Sequence, residues 1–233
     1  MTDLPEDGPA LRAEVIATAR GMNAAGINVN KAGNVSARCL RGAREGLVIT
    51  PTGVPYDALI PDDLVFIPLA APAGDDLPAG VVGARLPSSE WRFHFDILRS
   101  RREFNAIVHT HSPAATALAC HGLGIPPFHY MVAVAGGNDI RCAPYATFGT
   151  QALSDHAVAA LAGRKACLLA HHGVIACERD LPRALALAIE VENLANVYLR
   201  ARQLGEPPHL PADEMARVIA KFAAYGQPRP REP

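Results

Sequence analysis

The sequence has 233 residues, 49% of them hydrophobic, which is enough to bury one sizeable core. A formal net charge of -1 supplies no basic field, so neither nucleic acid nor an anionic membrane surface is an expected partner. No apolar run approaches the roughly 20 residues that span a bilayer. Five cysteines without a C-x-x-C pair, and an acidic start unlike a signal peptide, predict a cytoplasmic protein with reduced thiols.

The first half of the chain predicts one helix, several short strands and a long loop. Apolar residues at helical spacing predict a helix over residues 10–25, which Gly26 ends. Strands are predicted at residues 35–39, 47–50 and 64–69. Residues 70–86 are rich in Ala, Gly, Pro and Asp and are interpreted as a mobile surface loop. Ser88 or Ser89 is expected to cap the helix that follows.

The second half alternates strands and helices. Strands are predicted at residues 106–111, 165–170 and 174–177, and helices from 113 through Cys120, from a Thr150 cap to 161, from an Asp180 cap over 181–202, and over 212–224. The Pro/Arg-rich residues 226–233 are expected to be a disordered tail. This alternation predicts one α/β domain over residues 1–233, with helices packed on a central sheet.

Side chains of the kinds that bind metals occur in three separate segments. His109 and His111 are two residues apart, so a strand would turn both rings to the same face. In the His171-His172-Gly173 turn, adjacent side chains point in different directions, and only one of the two histidines is expected to bind a metal. Each pair is also compatible with ordinary polar residues at a strand end.

Glu90 has two interpretations. As a carboxylate in the first turn of a helix, it would interact favourably with the helix dipole, by about 0.5 kcal/mol. As a neighbour of the histidines, it would be a fourth ligand or a general base. Three imidazoles and one carboxylate suit Zn²⁺, which takes about four ligands, so a metal enzyme is the leading hypothesis.

Three loops have donors that suit a phosphate. Ser88 and Ser89 precede a helix start, where backbone N–H groups are free. Residues 32–36 and 50–53 each combine a glycine with hydroxyl or amide donors. Each segment alone is typical of a turn, and none matches a P-loop or a dinucleotide fingerprint. Together they could surround one phosphate.

An ordered set of motifs resembles the class II aldolase/adducin family, most closely its members that cleave L-fuculose 1-phosphate. The motifs are Gly33-Asn34-Val35-Ser36, Ile49-Thr50-Pro51-Thr52-Gly53, residues 86–94, Val108-His109-Thr110-His111, residues 143–149 and His171-His172-Gly173. The resemblance covers the chain from its first helix to about Tyr225. It implies an α/β fold with a central, largely antiparallel sheet, and a homotetramer with active sites at subunit interfaces.

The resemblance also implies roles for individual residues. Zinc, or another divalent metal, would be held by Glu90, His109, His111 and His172. The substrate phosphate would be held by Asn34, Thr52, Gly53, Ser88 and Ser89. Glu90 would also transfer a proton, and Tyr130 of a neighbouring subunit would protonate the leaving aldehyde oxygen. Phe148 and Tyr225 would contact the aldehyde part.

The implied reaction is reversible cleavage of a ketose 1-phosphate to dihydroxyacetone phosphate and an aldehyde. The substrate would resemble fuculose 1-phosphate or a 5-deoxy- or 5-methylthio-pentulose 1-phosphate. Lys31, Lys165 and Lys221 lie in no motif for a Schiff base. Alternatives on the same fold are a sugar-phosphate 4-epimerase and a methylthioribulose-1-phosphate dehydratase. A non-catalytic, adducin-like binding protein would have lost the metal-type residues, which are all present here.

Overall fold

A seven-stranded sheet forms the centre of the molecule in this computed structural model, which describes residues 4–70 and 76–224. The strands are β1 (Asn34–Arg41), β2 (Arg44–Ile49), β3 (Val65–Pro68), β4 (Ala106–Thr110), β5 (Arg141–Ala143), β6 (Ala166–Leu169) and β7 (Gly173–Glu178). Their order across the sheet is β3-β2-β1-β4-β7-β6-β5. The β5–β6 pair is parallel and the other neighbours are antiparallel, which confirms the predicted largely antiparallel sheet.

Helices cover both faces of this sheet. They are α1 (Pro9–Ala24), α2 (Trp91–Ser100), α3 (Pro113–Cys120), α4 (Gln151–Ala160), α5 (Leu181–Arg202) and α6 (Ala212–Ala224). Buried residues of α1, α3 and α5 form one apolar cluster with the sheet, and those of α2 and α4 form the second on the opposite face. The result is a single α/β domain of three layers. No helix within the described residues is long and apolar enough to cross a membrane.

Local signals set most helix ends. The side chains of Thr150 and Asp180 accept hydrogen bonds from the backbone N–H groups of Leu153 and Arg183, which confirms both predicted caps. The predicted cap of α2 is wrong, because its N-cap is Glu90 and no side chain caps it. Strand β5 was not predicted, because three residues are too short to show a period.

The segment before α2 is a loop that is joined to the sheet at one point. Val82 and Phe66 exchange backbone hydrogen bonds of 2.8 and 3.0 Å, so the chain extends the sheet beside β3. Leu77 and Val81 pack against the apolar cluster beneath α2 and α4. The described part of this segment, residues 76–86, contains no helix or named strand and is largely exposed, as a surface loop would be. Its other residues, 71–75, and the predicted disordered tail, residues 226–233, lie outside the described residues.

Candidate metal centre

Strand β4 brings His109 and His111 to one side of the sheet. Val108 points into the cluster beneath α1, α3 and α5, and its neighbour Ile107 points into the cluster beneath α2 and α4. His109 follows this alternation onto the α2 face, and His111 lies just beyond the strand end. Their Nε2 atoms are 3.1 Å apart, as the two-residue spacing predicts.

The β6–β7 turn brings His172 to the same place. His171 adopts a positive φ of 55°, which turns its ring away towards Tyr145, with the ring centroids 5.9 Å apart. His172 faces the β4 histidines, so one histidine of the pair joins the group and the other does not. Gly173 permits this packing, because a Cβ there would lie 2.3 Å from the Thr110 carbonyl oxygen and 3.0 Å from His111 Cδ2.

Glu90 completes the group from the start of α2. Its carboxylate is buried, with Oε2 3.1 Å from His109 Nε2 and Oε1 3.0 Å from His172 Nε2. Glu90, His109, His111 and His172 each offer one ligand atom, and these atoms all lie within 4.8 Å of one another. The structure thus brings together the four residues that the resemblance implies as ligands.

The hydrogen bonds around His109 show that this group fits a cation. His109 Nδ1 lies 2.8 Å from the Val174 carbonyl oxygen, which only accepts, so Nδ1 carries the proton. In the neutral ring, Nε2 then carries a lone pair that faces Glu90 Oε2 and His111 Nε2, and this lone pair repels the negative carboxylate oxygen. A divalent ion between these atoms would remove the repulsion, and three imidazoles with one carboxylate suit a zinc-type ion.

The local electrostatics favour the protonation states that bind a metal. Burial acts to raise the pKa of Glu90, but whenever His109 and His172 carry a proton on the nitrogen that faces it, their charge and hydrogen bonding hold this pKa well below its ordinary range. Burial, followed by repulsion from His109 and His172, lowers the pKa of His111 to about 4. A charged carboxylate and a neutral imidazole are the ligand forms that a cation requires near neutral pH.

A row of buried polar side chains lies behind Glu90. Asn34 Nδ2 donates to Glu90 Oε2 over 3.0 Å, and Asn34 Oδ1 lies 2.5 Å from His94 Nε2. His94 Nδ1 lies 2.7 Å from Ser36 Oγ. Burial lowers the pKa of His94 to about 3, which keeps its ring neutral. The sequence interpretation gave His94 no role, although its position four residues after Glu90 places it on the same side of α2.

A cavity of about 290 Å³ opens beside Glu90 and the three histidines, which are called the metal-type group below. Its inner wall includes Glu90, His111 and His172, and its outer wall includes Tyr145 and Phe148. Phe148 is 64% exposed and Tyr145 60%, so the outer wall presents apolar rings to solvent. The structure thus places Phe148 at the cavity beside the candidate metal ligands, and adds Tyr145, to which the sequence analysis gave no role.

All three predicted phosphate segments are joined by hydrogen bonds. Thr50 N donates to the Val35 carbonyl over 3.1 Å. Ser88 N donates to the Thr50 carbonyl over 2.9 Å, and Thr52 N donates to the Leu86 carbonyl over 3.2 Å. Gly53 has a φ of 74°, and its carbonyl accepts a 2.8 Å bond from Lys31 Nζ. These contacts place the exposed Thr52 and Gly53 beside the stretch that leads to Ser88 and the cavity-lining Ser89.

Asn34 and Ser88 are more enclosed than a phosphate ligand requires. Asn34 is 3% exposed and directs its amide to Glu90 and His94. Ser88 is 6% exposed, and its Oγ accepts a 3.3 Å bond from Glu90 N. Asn34 therefore also supports the carboxylate of Glu90, and Ser88 supports its backbone.

The predicted proton donor Tyr130 lies apart from the group within one chain. Tyr130 begins a short 3₁₀ segment, Tyr130–Ala135, and is 51% exposed. It lines a separate groove of about 490 Å³ with side chains of α6, including Val218 and Phe222. Tyr225 lies outside the described residues.

The fold and the Glu/His₃ group together define a metal-dependent enzyme of the class II aldolase type. The model of the family described as "Class II Aldolase and Adducin N-terminal domain" matches residues 13–199. A 5-methylthioribulose-1-phosphate/5-deoxyribulose-1-phosphate aldolase from Rhodospirillum rubrum is 54% identical over 223 residues, covering 96% of this chain and 96% of that protein.

Two further comparisons agree with this assignment. An L-fuculose phosphate aldolase from Escherichia coli K12 is 47% identical over 217 residues, covering 93% of this chain and 95% of that protein. A solved structure of L-fuculose 1-phosphate aldolase superposes with a TM-score of 0.85 at 35% identity, covering 93% of this chain and 97% of that one. The chain belongs to the class II aldolase and adducin family.

Proposed function

We propose that the protein reversibly cleaves a ketose 1-phosphate between C3 and C4, giving dihydroxyacetone phosphate and an aldehyde. The observation that carries this proposal is the group of Glu90, His109, His111 and His172 at the inner wall of a cavity. The names of the similar proteins, all sugar-phosphate aldolases, support the same reaction class. A non-catalytic binding role would not require these four residues to converge.

The proposed cofactor is Zn²⁺, held by His109, His111, His172 and, before substrate binds, Glu90. A bound zinc ion acts as a Lewis acid that stabilises the negative charge developing on the three-carbon half of the substrate, by several kcal/mol. The hydrogen bond from His109 Nδ1 to the Val174 carbonyl oxygen fixes the tautomer and the orientation of the His109 ring.

Glu90 is proposed to move the proton at the three-carbon fragment. After cleavage that fragment must gain a proton at carbon, and in condensation it must lose the same proton. The charged Glu90 carboxylate, held by Asn34 at one wall of the cavity, is placed to accept and return it. No lysine is required for this chemistry.

Tyr130 is proposed to act in the site of a neighbouring subunit, which would require the predicted homotetramer. Its ring is 51% exposed and lies in a groove apart from its own chain's metal-type group, so its hydroxyl is accessible to a second copy. There its hydroxyl would take the proton from the C4 hydroxyl during cleavage and return it to the aldehyde oxygen during condensation. Five free cysteines support the proposed cytoplasmic location, where thiols remain reduced.

The substrate phosphate is proposed to bind where residues 50–53 meet residues 86–89. Hydrogen bonds join these segments, and Ser89 opens directly into the cavity. Thr52, Gly53, Ser88 and Ser89 would supply hydroxyl and backbone donors. Lys31 lies close enough to Gly53 to add a positive charge at the edge of this pocket.

The aldehyde end of the substrate is proposed to be apolar. Tyr145, Ala146 and Phe148 form that side of the cavity, and Tyr225 would add to it. Such a wall suits a terminal methyl or methylthio group better than a terminal hydroxyl. The proposed substrates are therefore 5-deoxy- or 5-methylthio-pentulose 1-phosphates, followed by fuculose 1-phosphate, which also ends in a methyl group.

A product panel tests this proposal. The zinc-loaded protein is incubated with ketose 1-phosphates and ketose 5-phosphates, and the products are identified by mass. Dihydroxyacetone phosphate with a matching aldehyde is expected, with the highest kcat/KM for substrates that end in a methyl or methylthio group. A product of unchanged mass would indicate an epimerase, and loss of one water would indicate a dehydratase. Either result without dihydroxyacetone phosphate would overturn the proposal.

A further inference from the structure

The geometry points to His94 as a positioning residue of the metal centre: through Asn34, it sets which way the Glu90 carboxylate faces. This inference rests on the proposed metal-dependent function, since it concerns how the same site is held ready for a cation. It assigns a role to three buried polar residues, Ser36, His94 and Asn34, that do not reach the cavity themselves.

The hydrogen bonds along this row have one consistent direction. The Asn34 amide nitrogen can only donate, and it donates to Glu90 Oε2 over 3.0 Å. Its oxygen must then accept from His94, so His94 carries its proton on Nε2. His94 Nδ1 is left as an acceptor, and Ser36 Oγ, 2.7 Å away, donates to it. Each group has one role, and no member is left without a partner along the row.

The His94 proton therefore fixes the orientation of the Asn34 amide. The two ends of an amide have nearly the same shape, so only their partners decide which end faces Glu90. If Asn34 rotated by half a turn, its oxygen would face a carboxylate oxygen at about the same distance, which is repulsive. The N–H of His94 prevents this rotation, because the reversed amide would present a donor to it.

The consequence is a Glu90 carboxylate with a defined orientation. Asn34 holds Oε2 next to His109 Nε2, and this leaves Oε1 towards His172. Without that bond, the carboxylate could rotate about its last torsion, which is broad in glutamate. A glutamate side chain whose carboxylate rotates freely binds a metal less tightly than one whose carboxylate is already oriented.

The fold holds the row rigidly on both sides. Asn34 and Ser36 lie two apart on β1, so both point to the α2 face of the sheet. His94 lies one turn after Glu90 on α2 and is fully buried. Its ring stacks on Phe93 with centroids 4.7 Å apart, and Phe93 in turn contacts the edge of His109 at 5.3 Å.

A pair of substitutions tests whether the N–H of His94 matters. His94→Gln and His94→Met introduce side chains of similar length and good helix propensity, but only glutamine can donate to Asn34. The probe is Co²⁺, whose affinity is measured by competition with a chelator and whose visible absorption spectrum reports its ligands. His94→Gln is expected to bind Co²⁺ within about threefold of wild type, and His94→Met 10- to 100-fold more weakly with an altered spectrum.

The control is Phe95→Leu, a buried neighbour on α2 whose side chain does not belong to the row. It is expected to lower the melting temperature while it leaves Co²⁺ affinity and spectrum unchanged. Equal affinity for the glutamine and methionine variants, whether both match wild type or both are equally weakened, would overturn the role of the N–H.

A measurement on the unaltered protein keeps the inference testable if a variant does not fold. The ¹⁵N chemical shifts of the His94 ring distinguish its two tautomers, and the Nε2–H form is expected. The Nδ1–H form would overturn the inference. These readouts are separate from the reaction: wild type that binds Co²⁺ without cleaving ketose 1-phosphates would contradict the proposed function and leave the role of His94 intact.

Discussion

Asn34 and His109 lie directly opposite each other on the antiparallel strands β1 and β4, and both contact the carboxylate of Glu90. The candidate metal centre is therefore built on the pairing of two strands that are far apart in the sequence. A third element, α2, supplies the carboxylate, and the β6–β7 turn supplies His172. No single segment of the chain contains the site.

Removal of His111 is expected to weaken metal binding and cleavage together. His111→Ala deletes one of the four candidate ligands and leaves the buried His109 in place. We expect metal content after dialysis to fall by at least tenfold, with a parallel loss of kcat. Metal analysis of the purified protein and the cleavage assay measure the two effects. His121→Ala, which changes an exposed histidine, is the control and should match wild type. Full activity in His111→Ala would remove the proposed site.

Glu90→Gln is expected to separate metal binding from turnover. The amide keeps an oxygen that can face the cation, but it cannot accept and return a proton at the three-carbon fragment. We expect some metal to remain bound and kcat to fall by about 10²- to 10⁴-fold. The measurement is kcat per bound metal ion. A variant with wild-type kcat would show that another group handles the proton.

Gly173→Ala is expected to disturb the metal centre through packing alone. The added Cβ would lie 2.3 Å from the Thr110 carbonyl oxygen and 3.0 Å from His111 Cδ2, so β4 and β7 would have to move apart. We expect a loss of about 1–3 kcal/mol in the free energy of unfolding, with weaker metal binding. Urea denaturation and chelator competition measure these changes.

The matched control for this substitution is Gly8→Ala. A Cβ at Gly8 would meet nothing closer than the Glu6 carbonyl oxygen at 3.9 Å. This variant should differ little from wild type in both measurements. If Gly173→Ala were as stable as Gly8→Ala and bound the metal as tightly, the close approach of β7 to β4 would not matter for the site.

Asp7 is expected to make stability depend on pH far from the metal centre. Its buried carboxylate accepts hydrogen bonds from Arg12 at 2.6 Å and Arg41 at 2.7 Å. Burial acts to raise the pKa of Asp7, but the hydrogen bonds and charges of Arg12 and Arg41 outweigh it, so its pKa lies below the ordinary 3.8. Since the folded-state pKa is the lower one, the stabilisation is complete above pH 3.8 and is lost as the pH falls below it.

Asp7→Asn tests this pH dependence. At pH 7 the variant should be about 2 kcal/mol less stable than wild type, because hydrogen bonds to a charged group are replaced by weaker ones. The difference in unfolding free energy should shrink as the pH falls below 4, as measured by urea denaturation at a series of pH values. A difference that stays constant down to pH 3 would mean that the Asp7 charge does not stabilise the fold.

The parts of the fold that depend on neighbouring residues could be predicted from the sequence. The helix 212–224 was predicted with its observed ends, and the caps at Thr150 and Asp180 were predicted because a side-chain oxygen reaches N–H groups two or three residues away. The spacing of His109 and His111 likewise predicted that both rings share one face, because the strand period is two residues.

The parts that depend on distant contacts could not be predicted. No local pattern states that β1 pairs with β4, so the sequence did not show that Asn34 meets Glu90. The role of His94 depends on three elements at once, and a histidine on an apolar helix face resembles any buried polar residue. The pairing of Val82 with Phe66 of β3 is also a long-range contact, so the loop prediction for this segment did not include it.

The central claim is that a single divalent cation is held by Glu90, His109, His111 and His172. Anomalous diffraction from crystals of the zinc-loaded, substrate-free protein tests it most directly, with data collected on both sides of the zinc absorption edge. The account predicts one strong peak per chain, about 2.0–2.2 Å from a carboxylate oxygen of Glu90 and a ring nitrogen of each histidine. An anomalous zinc peak elsewhere, too far from these four side chains for any of them to bind the ion, would contradict the account.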